Sequence, residues 1–492
     1  MAVSNPSIDN VFNDQNIYAN LQALKNCSIK DRIKRINKIA SYINEPKNVG
    51  KITSALSKDL GKSEQEVTLS EIYPLLLTIK TVTKNLKRWS QDEYLPTPLT
   101  MIGLTSSIKY EPKGHVLIIG PWNYPFMLAI NPLIYAIAAG NAVIVKPSEI
   151  AANTSSLVKE MISEIFPTNE VTVIEGGVEE TTHLLTKKFN HIYFTGSPNV
   201  GKVIMEASAK HLCSVTLELG GKSPVIVDET TNIKKTATKI AWAKTLNCGQ
   251  TCIAPDYILV KKEVEKQFTE QYKKAINQLL DPNNKGINNS EFFGNIINTK
   301  NYDRLIELLE DANAKGAHVS DYSLANRDNK FIPPVVVTKV NNNMSIMEEE
   351  IFGPIIPIIP FENINEVITQ INNLPKPLAL YIMSKKRKTI NFLINNTSAG
   401  NTMVNELMMN VAHPDLPFGG VNNSGIGKSN GIHSFIDFSK SILYSLGFNS
   451  NFYFHFSGLE YNSEDGLLKP FLHTWSLSVE EQFYILFPII LL

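Results

Sequence analysis

Residues 116–125 decide the fold and read Val116-Leu117-Ile118-Ile119-Gly120-Pro121-Trp122-Asn123-Tyr124-Pro125. The first four residues form a short, apolar, β-branched run that predicts a buried strand. Similar runs follow at Ala142–Val145, Val171–Ile174 and Ile192–Phe194. The segments between these runs are long enough to hold crossover helices, so the sequence predicts an α/β fold built on a doubly wound parallel sheet.

The patterns on either side of this region predict further structure. Residues 15–90 are predicted to be helical and to cover a sheet. Apolar side chains recur at helical spacing at Ile33, Ile36, Ala40 and Ile43, and Pro46 closes that stretch. From about residue 222 to residue 400, strand and helix signals recur, including Val335–Val340 and Ile355–Pro360. They predict a second α/β unit, as expected for 492 residues, a length that exceeds one ordinary core.

Composition limits the classes of partner. The chain has 47 basic and 47 acidic residues and a pI near 7.1, so no electrostatic affinity for nucleic acid is expected. The four cysteines are too few and too irregularly spaced for a disulfide framework. The N-terminal residues lack the apolar core of a secretory signal. A small-molecule substrate and a reducing, cytoplasmic location are therefore expected.

The strongest local feature spans residues 247–256 and reads Asn247-Cys248-Gly249-Gln250-Thr251-Cys252-Ile253-Ala254-Pro255-Asp256. A cysteine here is a candidate nucleophile, because a thiolate attacks carbonyl carbon well and leaves well from a thioester. Each cysteine could equally be a buried small apolar side chain. The spacing of Cys248 and Cys252 also invites a metal site, but no second pair of ligands lies at zinc-binding spacing.

Two further motifs carry polar groups at strand ends. Glu218 lies within the apolar run Val215–Leu219, which leads into a Gly-Gly turn, and burial there would raise its pKa towards that of a general base. The alternative is an edge-strand carboxylate facing water. Asn123 follows the strand that ends at Ile119, where its amide could donate to an oxyanion or simply stabilise a turn.

Residues 194–202, Phe194-Thr195-Gly196-Ser197-Pro198-Asn199-Val200-Gly201-Lys202, follow a strand and open a helix. Backbone N–H groups and the helix dipole can hold phosphate at such a place. The spacing matches a P-loop, but Val203 occupies the position where a P-loop needs Ser or Thr for magnesium. Gly425-Ile426-Gly427 approaches the dinucleotide fingerprint but has no strand before it.

Together these motifs resemble the aldehyde dehydrogenase superfamily over roughly residues 10–445. Seven motifs occur in the order of the family: Pro121–Pro125, Lys146–Glu149, Phe194–Ser197, Leu217–Lys222, Gly249–Cys252, Glu350–Pro354 and Pro417–Gly420. Their wording is most similar to the class-three branch, which oxidises medium- and long-chain aliphatic and aromatic aldehydes. Asn422 is a departure, since this branch commonly has Gly there; Asn tolerates positive φ, so we expect the turn to survive.

The resemblance implies a mechanism. Cys252 would attack the aldehyde, while the Asn123 amide and the Cys252 backbone N–H hold the oxyanion. Hydride would leave for a nicotinamide, and Glu218 would activate the water that hydrolyses the thioester to a carboxylic acid. Cys248 would be structural.

The resemblance also implies where NAD or NADP binds. Lys146 and Glu149 would lie at the adenosine ribose, and Glu350 and Phe352 at the nicotinamide ribose and ring. The remaining cofactor residues would be the following: Trp122, Gly196, Ser197, Gly201 and Leu219. Glu149 would repel a 2′-phosphate, which favours NAD, although a carboxylate that moves aside could admit NADP.

The implied domain organisation follows the family. Residues 1–90 and 110–217 would form the dinucleotide-binding domain and residues 218–400 the catalytic domain. Residues 91–109 and 401–446 would form a small β element for bridging and oligomerisation. A homodimer is implied by resemblance to the class-three branch.

Residues 447–492 do not resemble this family. Asn449–Phe454 and Leu472–Tyr484 are similar to an internal stretch of the membrane acyltransferases that modify polysaccharides. The final apolar run, Phe483–Leu492, contains Pro488 and has 10 residues, about half of what a membrane span requires. We interpret this tail as an extraneous, non-catalytic fragment of a fusion or assembly, in preference to a membrane anchor or part of a bifunctional protein.

Two rival functions remain open at this point. One is an acylating enzyme that passes the thioester to coenzyme A, in which the water-activating carboxylate is commonly lacking; Glu218 argues against it. The other is a non-catalytic structural relative, against which intact Cys252, Glu218 and Asn123 argue.

Overall fold

A computed structural model describes residues 5–20, 27–98 and 104–447. Among these residues two compact units are distinguished, one comprising residues 5–20, 27–86 and 112–438 and the other residues 87–98, 104–111 and 439–447. The tail predicted to be acyltransferase-like therefore lies outside the described residues from 448 onwards. Within the described ranges, no helix combines the length and apolarity that crossing a membrane requires.

The helices, in chain order, are α1 (Pro6–Asn20), α2 (Ile29–Asn44), α3 (Pro46–Leu60), α4 (Glu64–Val67), α5 (Tyr73–Trp89), α6 (Met127–Ala139), α7 (Ala152–Ile165), α8 (Val178–Leu185), α9 (Pro198–Ala209), α10 (Ile233–Thr245), α11 (Glu265–Leu280), α12 (Thr299–Ala314), α13 (Ser345–Glu348), α14 (Ile364–Asn372), α15 (Arg387–Asn396) and α16 (Gly431–Asp437). A π-helical turn, Thr68–Ile72, joins α4 to α5.

The strands are β1 (Glu93–Leu95), β2 (Leu104–Pro112), β3 (His115–Ile119), β4 (Ala142–Lys146), β5 (Val171–Val173), β6 (His191–Thr195), β7 (Ser214–Glu218), β8 (Pro224–Val227), β9 (Tyr257–Lys261), β10 (His318–Val319), β11 (Val335–Thr338), β12 (Ile355–Phe361), β13 (Ala379–Met383), β14 (Asn401–Val404), β15 (Gly425–Ile426) and β16 (Ser439–Gly447).

The first sheet confirms the predicted doubly wound topology. Its six strands lie in the order β15-β7-β6-β3-β4-β5, and β3 to β7 pair in parallel. A helix follows each of β3, β4, β5 and β6. The chain starts at β3, moves to β4 and β5 on one side, and then returns to β6 and β7 on the other. The direction of winding therefore reverses between β3 and β6, where α/β proteins place their ligands.

The second sheet confirms the second α/β unit. Its seven strands lie in the order β10-β11-β12-β9-β8-β13-β14, with parallel pairing except at β10. The central strands β8 and β13 are buried throughout, which explains their continuous apolar runs. This core includes Val225, Tyr257 and Tyr381.

The third sheet belongs to the other compact unit and has the order β1-β2-β16. The assignment of residues 401–446 to the bridging element differs from the observed pairing. Strand β14 extends the second sheet, and β15 pairs antiparallel with β7, so residues 401–438 belong to the larger unit. Short strands that add to the edges of distant sheets carry little local signal in the sequence, which explains the difference.

The helical region differs from the expectation at one proline. Helix α2 buries Ile36 and Ile43 as predicted, whereas Ile33 and Ala40 are half-buried and Ile39 is buried in addition. Ser28 caps its first turn. Pro46 does not simply end the helical stretch, because it occupies the first turn of α3. Proline is favoured there, since its missing N–H would have no partner within the helix.

A fully buried ion pair connects the N-terminal helices to the first sheet. Lys62 Nζ lies 2.6 Å from Glu71 Oε1, and both side chains are completely inaccessible to solvent. Lys62 also donates to the Asn123 carbonyl at 3.0 Å, and the second Glu71 oxygen accepts from the Met127 N–H at 2.8 Å. The pair thus satisfies its own charges and fixes the loop that follows β3.

We expect Lys62→Met to destabilise the protein by about 3–5 kcal/mol, because it leaves the Glu71 carboxylate buried without its partner. The urea midpoint for unfolding measures this loss. Lys51→Met is the matched control, since it breaks an ion pair with Glu160 at the surface and should cost at most about 1 kcal/mol. Equal losses in the two variants would contradict the prediction.

Candidate active site

The loops that follow β3, β6 and β7 meet at the reversal point of the first sheet. Their strands are adjacent and parallel, so their carboxyl ends lie at the same edge. The loop after β3 carries Trp122 and Asn123, the loop after β6 carries Gly196 and Ser197, and β7 ends at Glu218. The topology alone therefore brings together three of the motifs found in the sequence.

The N-terminus of α9 has the features of a phosphate-binding turn. Ser197 caps the helix, and its hydroxyl accepts from the Val200 N–H at 3.4 Å. The Gly196 N–H donates to the Glu218 carbonyl at 3.0 Å, which ties this turn to β7. A Cβ added at Gly201 would lie 3.0 Å from the Leu219 side chain, so glycine permits this close packing. The turn fits the pyrophosphate of a dinucleotide.

A second polar cluster lies at the end of β4. Lys146 Nζ and Glu149 Oε2 are 2.7 Å apart, and the lysine side chain is 3% exposed whereas that of the glutamate is 43% exposed. The Gly120 N–H donates to the Lys146 carbonyl at 3.0 Å. Lys146 is thus fixed beside the loop after β3, while the carboxylate of Glu149 faces solvent.

Glu350 and Phe352 lie against the loops of the first sheet from the other side. The Phe352 ring packs edge-on against that of Trp122, with centroids 5.3 Å apart. The Glu350 carboxylate rests against Gly220 so closely that a Cβ there would collide with it. Burial, together with the charge of Asp256, raises the pKa of Glu350 to about 8, although the Gly221 backbone N–H lowers it. Phe352 and Glu350 therefore pack directly against the loops that carry Trp122 and Gly220.

A buried lysine positions this segment. Lys222 Nζ donates to Asp256 and also to the Ile346 and Glu349 carbonyls, both at 2.8 Å. The second Asp256 oxygen accepts from the Ile351 N–H at 2.8 Å. Lys222 and Asp256 therefore hold the backbone on both sides of Glu350. The sequence interpretation missed this role, although Lys222 stands directly after the Gly-Gly turn.

An unusual backbone turn precedes Cys252 in its loop. Asn247, Cys248 and Gly249 have successive φ values of 51°, 54° and 73°, all left-handed. Such conformations cost about 1–3 kcal/mol for residues other than glycine and persist only where the surroundings impose them. The Asn247 N–H donates to the buried Glu66 carboxylate at 2.7 Å, which is one of the contacts that hold the turn.

Cys252 follows this turn and is partly accessible, whereas Cys248 is buried. Burial and the charges of Glu350 and Glu218 raise the pKa of the Cys252 thiol to about 12, against smaller lowering effects from the Cys252 and Ile253 backbone N–H groups. Both carboxylates therefore act electrostatically on this sulfur. Among the described residues, no group of acidic, histidine and cysteine side chains could hold a metal ion.

Hydrogen bonds from both the side chain and the backbone hold Asn123 in place. Its side-chain Nδ2 donates to the Gln250 backbone carbonyl at 3.0 Å. Its backbone carbonyl accepts from Asn247 Nδ2 at 2.8 Å and from Lys62 Nζ. The side chain is buried, and one of its two amide hydrogens remains for another acceptor. The amide is therefore fixed next to the loop that leads to Cys252.

Glu218 is buried at the end of β7. Ser429 donates its hydroxyl to Glu218 Oε1 at 2.7 Å, while Oε2 has no partner among the described residues. Burial raises the pKa of Glu218 to about 8, although the Ser429 hydrogen bond and the charge of Lys428 lower it. The sequence interpretation missed Ser429, because nothing near residue 429 indicates proximity to residue 218.

Two further predictions concern the turn at Asn422 and the glycine segment at Gly425–Gly427. Asn422 adopts φ 56°, so the turn survives with asparagine in the left-handed region, as predicted. Gly425 pairs with Glu218 across β15 and β7, which places this glycine segment in a sheet and not in a dinucleotide fingerprint.

Comparisons with known proteins agree with this geometry. The model of the aldehyde dehydrogenase family matches residues 15–442. The 4,4'-diaponeurosporen-aldehyde dehydrogenase of Staphylococcus aureus is 42% identical over 437 residues, covering 88% of this chain and 92% of that protein. The dimeric NADP-preferring aldehyde dehydrogenase of Rattus norvegicus is 41% identical, covering 84% of this chain and 89% of that protein.

A solved structure of Staphylococcus aureus AldH in a substrate-bound state has the same fold. It superposes with a TM-score of 0.85 and 38% identity, covering 97% of this chain and 99% of that chain. The matched region contains both sheets and all the site loops described above. The chain therefore belongs to the aldehyde dehydrogenase family, as an enzyme that oxidises aldehydes to carboxylic acids with NAD or NADP.

Proposed function

We propose that Cys252 is the nucleophile, Glu218 the general base and Asn123 an oxyanion donor in this aldehyde oxidation. One observation carries the assignment: a buried carboxylate with an unpartnered oxygen acts electrostatically on a partly accessible thiol. Perturbed titrating groups that converge in this way are typical of catalytic sites. The raised pKa of Cys252 means that the resting enzyme holds a thiol, so activation must accompany binding of the cofactor and substrate.

The chemistry of each residue follows from its surroundings. The Cys252 thiol releases its proton to the solvent as its sulfur bonds to the aldehyde carbon, and the resulting oxyanion accepts from Asn123 Nδ2 and from the Cys252 N–H. When bound, the oxidised nicotinamide supplies the hydride acceptor and a positive charge that favours the thiolate. The substrate then remains on Cys252 as a thioester. Glu218 Oε2 removes a proton from the attacking water, and the acid departs as the C–S bond breaks.

We propose that the cofactor lies along the loops of the first sheet. Gly196, Ser197 and Gly201 would hold the pyrophosphate at α9, with Leu219 packed beneath. Glu350 and Phe352, beside Trp122, would contact the nicotinamide ribose and ring. The packing of Phe352 against Trp122 and of Glu350 against Gly220 supports this arrangement.

Lys146 and Glu149 would contact the adenosine ribose. The Glu149 carboxylate favours NAD, because it would repel a 2′-phosphate. Its 43% exposure supports a dual use of cofactors, since a solvent-facing carboxylate can turn aside when NADP binds.

We further propose medium- and long-chain aliphatic or aromatic aldehydes as substrates, a homodimer as the assembly and the cytoplasm as the location. The similarity to class-three enzymes supports the substrate class, as does a relative named for 4,4'-diaponeurosporen-aldehyde. A relative described as dimeric supports the assembly. Four free cysteines support a reducing compartment.

The decisive kinetic experiment separates acylation from hydrolysis. With a medium-chain aldehyde, and with NAD and NADP in separate assays, we expect Glu218→Gln to release about one equivalent of NADH or NADPH in a burst. Steady-state turnover should then fall by about 10²–10⁴-fold, because the thioester forms but no base activates water. Cys252→Ala should abolish both phases.

Controls exclude the rivals. Undiminished turnover in Cys252→Ala would overturn the assignment of the nucleophile. Adding coenzyme A to the wild-type enzyme should not be required for turnover; a strict requirement would identify an acylating enzyme in place of a hydrolytic one.

The dependence of turnover on pH should report Glu218. Its carboxylate is the active form, so hydrolysis is lost as the pH falls below the raised pKa of about 8 and is restored above it. Ser429→Ala removes a hydrogen bond that lowers this pKa, so the midpoint of kcat against pH should move to higher pH. An unchanged midpoint in Ser429→Ala would show that another group controls the profile. Ser163→Ala, on α7, removes an exposed hydroxyl and is the control, in which the midpoint should not move.

We propose that residues 447–492 are an appended, acyltransferase-like fragment that takes no part in the dehydrogenase reaction. The motifs quoted for the enzyme all lie before residue 446, which supports this proposal. Deleting residues 447–492 should leave kcat unchanged and the protein dimeric, with a mass of two truncated chains, as measured by steady-state kinetics and light scattering. Loss of turnover in a folded truncation would refute it.

A further inference from the structure

One buried side chain near the site has no role in the reaction described above. Asn410 is 7% exposed, and both Oδ1 and Nδ2 lack a hydrogen-bond partner within the part of the chain that the structure describes. Leaving a buried polar atom unpaired is costly, and here one amide leaves two such atoms. The other unpaired atom at the site is Glu218 Oε2, which awaits the attacking water. Asn410 therefore also has the character of a group that awaits a ligand.

Contacts of Met408 and Val411, on either side of Asn410, link its segment to residues adjacent to Cys252 and Ser429. Two residues earlier, the Met408 backbone contacts the Tyr381 hydroxyl, which also donates to the Ile253 carbonyl at 2.6 Å. Ile253 is the residue after Cys252. The Tyr381 hydroxyl is close enough for the charge of Cys252 to act on it.

The following residue connects to the general base. The Val411 carbonyl accepts from Asn430 Nδ2 at 3.4 Å, and Asn430 directly follows Ser429, the partner of Glu218. The segment 408–411 thus runs from the neighbourhood of the sulfur to that of the carboxylate. In it, Met408 and Asn410 are buried while Met409 and Val411 are exposed, so Asn410 faces inwards.

The donors and the acceptor of the Asn410 side-chain amide indicate which functional group of a ligand would complement it. An asparagine offers both donors and an acceptor, and a hydroxyl group can accept from Nδ2 or donate to Oδ1, so it can serve either atom. A ketone or an ether could only accept and would leave Oδ1 unpaired. A carboxylate could likewise only accept, so it would also leave Oδ1 unpaired. A hydroxyl is the simplest group that complements this position.

We propose that Asn410 is a specificity-determining residue that hydrogen-bonds a hydroxyl group carried by the aldehyde substrate away from its reacting carbon. The proposal rests on the proposed catalytic site and names a substrate class for it: hydroxylated aldehydes. Such a contact is made in the ground state and the transition state alike, so it acts chiefly on KM.

The test compares matched aldehydes that differ only in a hydroxyl. Benzaldehydes that carry a hydroxymethyl group at the meta or the para position are compared with the corresponding ethylbenzaldehydes. In the wild-type enzyme, one hydroxymethyl isomer should exceed its ethyl counterpart about tenfold in kcat/KM, as expected for a buried hydrogen bond that satisfies an unpaired amide. Asn410→Leu, of similar size, should abolish this preference by raising KM for that isomer, with kcat for the ethyl compounds retained.

Controls separate recognition from structure. Met409→Leu changes an exposed neighbour and should leave the preference intact. Asn410→Ser keeps a donor and an acceptor and should restore part of it. The midpoint of thermal unfolding should not fall in Asn410→Leu, because no protein partner is lost.

The outcomes are distinguishable. If wild type and Asn410→Leu oxidise all four aldehydes without a hydroxyl preference, the proposal is overturned while the catalytic assignment stands; a bound water then satisfies the amide. A lower unfolding midpoint, with equal losses for hydroxymethyl and ethyl compounds, would also overturn it by showing a structural role. Absence of NADH formation from every aldehyde would instead refute the proposed catalytic site.

Discussion

The left-handed turn at residues 247–249 is the constraint on which the site depends. Three successive residues with positive φ precede Cys252, and the last of them, Gly249, lies against the Gly353 backbone. Gln250 stabilises this turn, because its amide bonds the Asn247 and Asn295 carbonyls, both at 3.1 Å, and the Ile297 N–H. The sulfur can therefore be partly accessible while its own loop is rigid, which is what a positioned nucleophile needs.

Burial acts in two ways on the charged groups around this turn. Lys62 with Glu71 and Lys222 with Asp256 are paired and fix backbone. Glu218 and Glu350 have no close cationic partner of this kind, and burial raises the pKa of each to about 8. The two ion pairs thus fix the surrounding backbone, while the pKa of about 8 at Glu218 and Glu350 suits chemistry near neutral pH.

The two larger sheets carry different parts of the site. The first sheet reverses its winding between β3 and β6 and presents loops for a dinucleotide at its carboxyl edge. The second sheet carries the thiol loop between α10 and β9 and the segment of Glu350 between α13 and β12. Strand β15 returns to pair with β7, and the chain that follows it supplies Ser429 to the base. Chemistry therefore occurs where elements of three distant stretches of sequence meet.

The sequence by itself determined the fold class, the family and several strands of each sheet, and it singled out Cys252, Glu218 and Asn123 as candidates for the reaction. These follow from local patterns: apolar runs specify buried strands, and short motifs specify loops at strand ends. The tertiary structure alone decided that Ser429 bonds Glu218 and that Lys222 holds the segment around Glu350. It also decided that Asn410 is left unpartnered beside the site. These contacts join residues as much as 211 positions apart, and no local periodicity records which distant side chain a buried polar group will meet.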